Sequence, residues 1–109
     1  MNFAADFDVD AFLAPLQEKY GKGEVVAVPT VAGPMAFRCP TGPEYARFKD
    51  ARRKEGDHAA GKLLLLITVV SPDRVAMGPI LEKKPGIIDT CLDEVLILAG
   101  VDPQAEAKK

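Results

Sequence analysis

The stretch Glu55–Asp73, EGDHAAGKLLLLITVVSPD, is where this sequence comes nearest to advertising chemistry. Gly56 to Lys62 has the spacing G-x-x-x-x-G-K of a phosphate-binding loop, and an apolar run then leads to the acidic Asp73. A working loop follows a buried strand, wraps phosphates with backbone N–H groups, and places Ser or Thr after the lysine to hold magnesium. Leu63 stands at that hydroxyl position and offers no oxygen. The preceding RFKDARRKE reads as a charged helix rather than a buried strand, and Asp73, after Ser71-Pro72, is explained by helix capping. The spacing is therefore read as a helix break followed by a helix start, and nucleotide hydrolysis is set aside.

Other reactive side chains are isolated. His58, the single histidine, has no Cys or second His at helical spacing, so a zinc site lacks local support. No nucleophile and orienting partner accompany it for general-base work. Cys39 and Cys91 lack a C-x-x-C arrangement and read as two buried free thiols. The chain is accordingly expected to be no enzyme, with no cofactor and no metal. The basic cluster Arg47, Lys49, Arg52, Arg53 and Lys54 is interleaved with Glu44, Asp50 and Glu55 and reads first as a solvated, partly paired helix face. Docking of an acidic partner is the functional alternative.

The elements that would position these residues follow from period and caps. DVDAFLAPLQEKYG predicts a short helix, capped by Asp8 or Asp10 and closed by Gly21, with Pro15 as a kink or late start. Phe12, Leu16 and Tyr20 share its face. EVVAVPTVAGPMAFRCP predicts a β-hairpin over about 24–39 with its turn at Gly33-Pro34. Pro29 marks its strand as an edge or bulged strand. Thr41 and Glu44 have capping-box spacing for a helix over about 43–55 that Gly56 stops. Leu63–Val70 is apolar on every side, and period alone does not separate strand from helix. Its length and helical surroundings favour a helix over about 57–70, with Ala60, Leu63, Leu64, Ile67 and Val70 inward and Asp57 as cap. Ser71 is expected to cap the next helix, which Gly78-Pro79 should bend or split. The last helix, about 87–99, carries the apolar stripe Ile88, Cys91, Leu92, Val95, Leu98 and Ala99 and closes at Gly100.

The expected class is thus α+β: an N-terminal helix, one hairpin, then a predominantly helical C-terminal part of about four helices. At 109 residues there is room for one modest core. Residues 1–7 read as a flexible arm that Phe3 and Phe7 can staple down, 8–100 as one domain, and 101–109 as a polar tail. A net charge of −2 supplies no basic field for nucleic acid. The eight-residue run Leu63–Val70 is far short of the about 20 residues a membrane-spanning helix needs. The acidic start MNFAADFDVD lacks the pattern of a secretory signal, so the expected location is cytoplasmic.

Apolar residues exceed what single stripes need. Leu65, Leu66 and Val69 in one segment and Leu96 and Ile97 in another either wrap a central helix or form a subunit or partner interface. The order hairpin, capped helix, apolar helix, Ser-Pro-Asp helix and short last helix resembles the tail assembly chaperones of long-tailed bacteriophages. Phe37-Arg38-Cys39-Pro40-Thr41, followed by Glu44-Tyr45-Ala46-Arg47-Phe48, is similar to the family's F-R-x-P-T strand-to-helix junction. Val70-Ser71-Pro72-Asp73, Pro85-Gly86 and Leu98-Ala99-Gly100 match in kind and order, so the likeness spans roughly 24–100. Gly61 and Gly78-Pro79 depart from the smooth helices expected.

The resemblance implies a non-enzymatic chaperone that coats the tape measure protein, keeps it soluble and helps recruit tail-tube subunits, with self-association through apolar surfaces. It implies a short form, with Lys108-Lys109 placed where a frameshift would yield a longer one. Candidate contacts are Leu65, Leu66, Val69, Leu96 and Ile97, with Arg47, Arg52 and Arg53 as a charged rim. A small cytosolic adaptor or regulatory interaction domain unrelated to phage shares every feature except the family likeness.

Overall fold

The computed structural model describes residues 2–102. Its elements are α1 (Val9–Tyr20), β1 (Val25–Thr30), β2 (Gly33–Arg38), α2 (Gly42–Glu55), α3 (Asp57–Thr68), β3 (Val69–Ser71), α4 (Arg74–Lys83) and α5 (Gly86–Leu98). The architecture is α+β, as expected. The tail assigned to 101–109 lies outside the described residues from 103 onward.

The three strands form one antiparallel sheet in the order β1-β2-β3. β1 and β2 pair from Val25↔Arg38 to Thr30↔Gly33, which puts the hairpin turn at Val31-Ala32 rather than at Gly33-Pro34. Thr30 closes that turn: its Oγ1 donates to the Gly33 carbonyl at 2.6 Å and accepts from the Ala32 amide at 3.1 Å. Gly33 has φ +105°, where a side chain would be strained. Pro29 sits on β1, an edge strand, as its missing donor requires.

Leu63–Val70 is neither wholly helix nor wholly strand. α3 ends at Thr68, Val69 turns extended (φ −63°, ψ 131°), and β3 joins the sheet beside β2 with an irregular register near Ala36 and Phe37. Helical structure therefore does not run unbroken after Thr41. The helix face also differs from the expected one: Ala60, Gly61, Leu64, Leu65 and Thr68 are buried, while Leu63, Ile67 and Val70 are half-buried. The Thr68 hydroxyl is satisfied by donating to the Leu64 carbonyl at 2.9 Å.

Caps mostly follow the sequence. Asp8 accepts from the Ala11 amide at 3.0 Å, and Thr41 and Glu44 form a reciprocal capping box. Two expectations are corrected: Gly56, not Asp57, precedes α3, and Asp73, not Ser71, caps α4 by accepting from Ala76 at 2.8 Å. α4 also runs through Gly78-Pro79 unbroken. Pro79 leaves the Val75 carbonyl without its helical donor, but Val75 is 86% exposed, so water can take that bond. Pro15 in α1 sits four residues after the exposed Ala11, and α1 is likewise continuous. α5 ends in a Schellman arrangement, with Val101 N–H on the Leu96 carbonyl and Gly100 N–H on Ile97.

The core joins Val28, Met35 and Phe37 of the sheet to Phe48, Leu64, Leu65, Met77, Leu81, Ile88, Cys91 and Val95 of the helices. α3 is its axis, packed against α2, α4 and α5. Gly61 permits the α3–α5 approach: a Cβ there would lie 3.0 Å from Ile88 Cγ2 and 3.0 Å from Leu92 Cδ2. No helix of the described residues is long and apolar enough to cross a membrane.

Candidate interaction surface

Each residue of the phosphate-loop spacing has a structural occupation. Gly56 takes φ +96° to end α2, its N–H donating to Arg52 at 3.1 Å. Gly61 makes room for α5, and Lys62 pairs with Glu82 across to α4. His58 is exposed in the first turn of α3. Among the described residues no group of three or more His, Cys, Asp or Glu is placed to hold a metal ion.

The thiols are both free. Cys91 is buried, as expected, and burial is the main cause that pushes it up to about 12. Cys39 is half-buried rather than buried, and its Sγ lies 3.6 Å from the Leu98 carbonyl; burial raises its pKa too. Both are thiols rather than thiolates at neutral pH, which removes the nucleophilic form. In the folded protein Cys91 should resist a soluble thiol reagent until denaturant is added, while Cys39 reacts first. Equal rates in native buffer would contradict this burial.

The junction between β2 and α2 is held by one arginine. Arg38, at the end of β2, grips Glu44 through two parallel bonds of 2.8 Å and donates to the Ile67 carbonyl of α3 at 3.1 Å. Glu44 Oε1 also accepts from the Thr41 amide at 2.9 Å. The Arg38 fork is the largest cause that brings the Glu44 carboxyl down to about 2. Phe37 and Pro40 are buried on either side. These residues therefore bind β2, α2 and α3 to one another.

The proposed contact residues separate in space and in exposure. Leu65 is fully buried in the core and presents nothing to a partner, which corrects its place among them. Leu66, Val69 and Leu96 are half-buried and pack on the core, while Ile97 is 48% exposed. Arg47, Arg52 and Arg53 are exposed on α2. Arg53 pairs with Asp50, and Arg52 lies 5.3 Å from the centre of the Phe48 ring.

Sequence reasoning missed the concave side of the molecule. A cleft of about 360 Å³ lies between Pro29–Val31 and Lys83–Ile87, with Thr90 at its wall. A second, of about 280 Å³, continues along β1 between Ala27–Pro29 and the α5 residues Thr90 and Glu94. The sequence signal was present in Pro29, which marks β1 as an edge, but the helix lying beside that edge has no local signature. In comparison with known proteins, the chain matches no family model, no curated protein and no solved structure.

Proposed function

We propose that this chain is a non-enzymatic assembly chaperone of the long-tailed phage type. It would cover apolar stripes of a tape measure protein, self-associate while doing so, and hand the client to tail-tube subunits. The observation that carries the reading is the strand-to-helix junction. Phe37, Arg38, Pro40, Thr41 and Glu44, which carry the family likeness, are the residues that join β2, α2 and α3. A motif shared for structural reasons is expected to persist in a divergent family, so this supports the resemblance without assigning a reaction.

The candidate client contacts are the exposed Ile97 and the half-buried Leu66, Val69 and Leu96, with Arg47 and Arg52, exposed on α2, as separate cationic candidates. Weak apolar contacts repeated over many copies add up along a long client. The test is co-expression with a long, coiled-coil-rich tape measure protein sought among the reading frames neighbouring this gene, and the absence of such a frame counts against the reading. Ile97→Asp combined with Arg47→Glu should lower the soluble client several-fold, since losing a central apolar contact costs more than about 1 kcal/mol per copy. Unchanged client solubility with the variant, or none with the wild type, would overturn the reading and leave the adaptor alternative.

A further inference from the structure

We propose that the cleft between the β1–β2 turn and the α4–α5 connection docks an acidic peptide segment of a partner protein, seating a carboxylate side chain beside an apolar one. The site stands apart from the client contacts, since Ile97 lies at the other end of α5, about 16 Å from Gly86 along the helix. Recognition here uses side chains alone and leaves the backbone of β1 untouched.

The cleft of about 360 Å³ between Pro29–Val31 and Lys83–Ile87 lies at the small end of the range of ligand pockets, roughly 300–1,000 Å³. Val31 is 65% exposed in the turn, one of the few large apolar side chains that the described residues leave in water. Tight turns favour glycine and small polar residues, so the turn itself gives no reason for a valine. With Pro29 and Pro85 it lends the cleft an apolar wall. Gly86 lines the same space and supplies room rather than backbone freedom. Its φ is not positive, and a Cβ there would meet nothing within 4 Å.

Charge sets the sign of the ligand. Lys83 and Lys84 line the cleft, and neither forms an ion pair among the described residues. Their neighbour Glu82 is engaged with Lys62 instead. The chain as a whole bears a net charge of −2, so this pair locally inverts its field. Other polar groups around the cleft are already used. Thr30 Oγ1 serves the hairpin turn, and Thr90 Oγ1 donates to the Gly86 carbonyl at 3.4 Å. The Ile87 and Ile88 amides donate to the Lys84 and Pro85 carbonyls at 3.1 Å. Two adjacent ammonium groups therefore carry the recognition, and a carboxylate flanked by an apolar side chain complements them. Glu94, one turn beyond Thr90 in the adjoining cleft, repels a second acid there and so fixes which end of the peptide bears the charge.

The test is selection from a displayed library of random dodecapeptides on the immobilised full chain, followed by fluorescence anisotropy with the enriched peptides. These should pair Asp or Glu with an apolar residue and bind more weakly as salt rises. Lys83→Glu with Lys84→Glu should weaken binding about tenfold or more, and Val31→Ser about threefold or more, each with the wild-type circular dichroism. Should the double reversal fail to fold, Lys83→Gln with Lys84→Gln carries the same expectation. Ile97→Asp should leave peptide binding unchanged, which separates this site from the client contacts. No enrichment, enriched peptides without acids, or binding indifferent to the lysine variants overturns the proposal. So does displacement by inorganic phosphate with no effect of Val31→Ser, which would reduce the cleft to a general anion site.

Discussion

Gly61→Leu is expected to abolish most of the folded population at room temperature, the largest effect of any single substitution considered for this chain. A Cβ alone at Gly61 reaches 3.0 Å from side-chain carbons of both Ile88 and Leu92, tighter than ordinary van der Waals contact. Three further carbons have no volume to enter, so α3 and α5 must separate. Overpacking by less than this costs about 1–3 kcal/mol, and parting two core helices costs more. Typical domains hold only about 5–15 kcal/mol in total. Gly78→Ala is the control: a Cβ there meets nothing within 4 Å. It should leave stability within about 1 kcal/mol of the wild type, since the helix-propensity gain of Ala is offset by the bias against helical backbone in a residue that precedes Pro79. Urea denaturation of both variants checks the pair, and a Gly61→Leu midpoint near that of the wild type would refute the close approach.

Glu44→Gln should lose about 1.5–3 kcal/mol at neutral pH, the usual worth of hydrogen bonds to a charged group. The fork to Arg38 loses its charge, and the capping contact to Thr41 weakens with it. The sign of the pH dependence follows from the depressed carboxyl. Its folded pKa is about 2 against an ordinary 4.5, so the unfolded chain takes up the proton more readily. The stabilisation is present in full above the ordinary value and fades as pH falls from about 4.5 towards about 2. The stability gap between wild type and Glu44→Gln should therefore be wide at neutral pH and shrink through the acid range. A gap independent of pH would mean that the ion pair contributes little. Arg38→Lys should resemble Glu44→Gln, because a single ammonium cannot hold both carboxylate oxygens and the Ile67 carbonyl together.

Local signals in the sequence were read well where the structure is local. The Thr41–Glu44 capping box, the hairpin strands, the Asp8 cap and the Gly100 stop each depend on a few adjacent residues. What escaped depends on distant partners. Val69–Ser71 becomes a strand because the free side of β2 accepts it, and nothing within Leu63–Val70 names that partner. The β-branched end of the run and its leucine-rich beginning were both truthful, one about β3 and the other about α3. Leu65 falls beside the stripe Ala60, Leu63, Leu64, Ile67 and Val70 on the helical period alone, and the buried arc instead runs through Gly61, Leu64, Leu65 and Thr68. Because Gly61 faces α5, the helical period brings Leu65 inward alongside the expected Leu64. The cleft between β1 and α5 was illegible for the same reason, since it exists only between elements far apart in the chain.

α1 contains no fully buried residue, and its principal contact is β1. Its apolar face is shared with the stacked rings of Phe3 and Phe7, 5.2 Å apart, and with Phe12, 5.4 Å from Phe7. The molecule therefore has two opening free energies rather than one. The first releases the N-terminal segment by separating small aromatic and strand contacts. The second dissolves the β2–α3–α5 core, which continues to satisfy its own backbone after the first has occurred. A protease or a competing peptide would meet the N-terminal segment at a far lower energetic threshold than the rest of the chain.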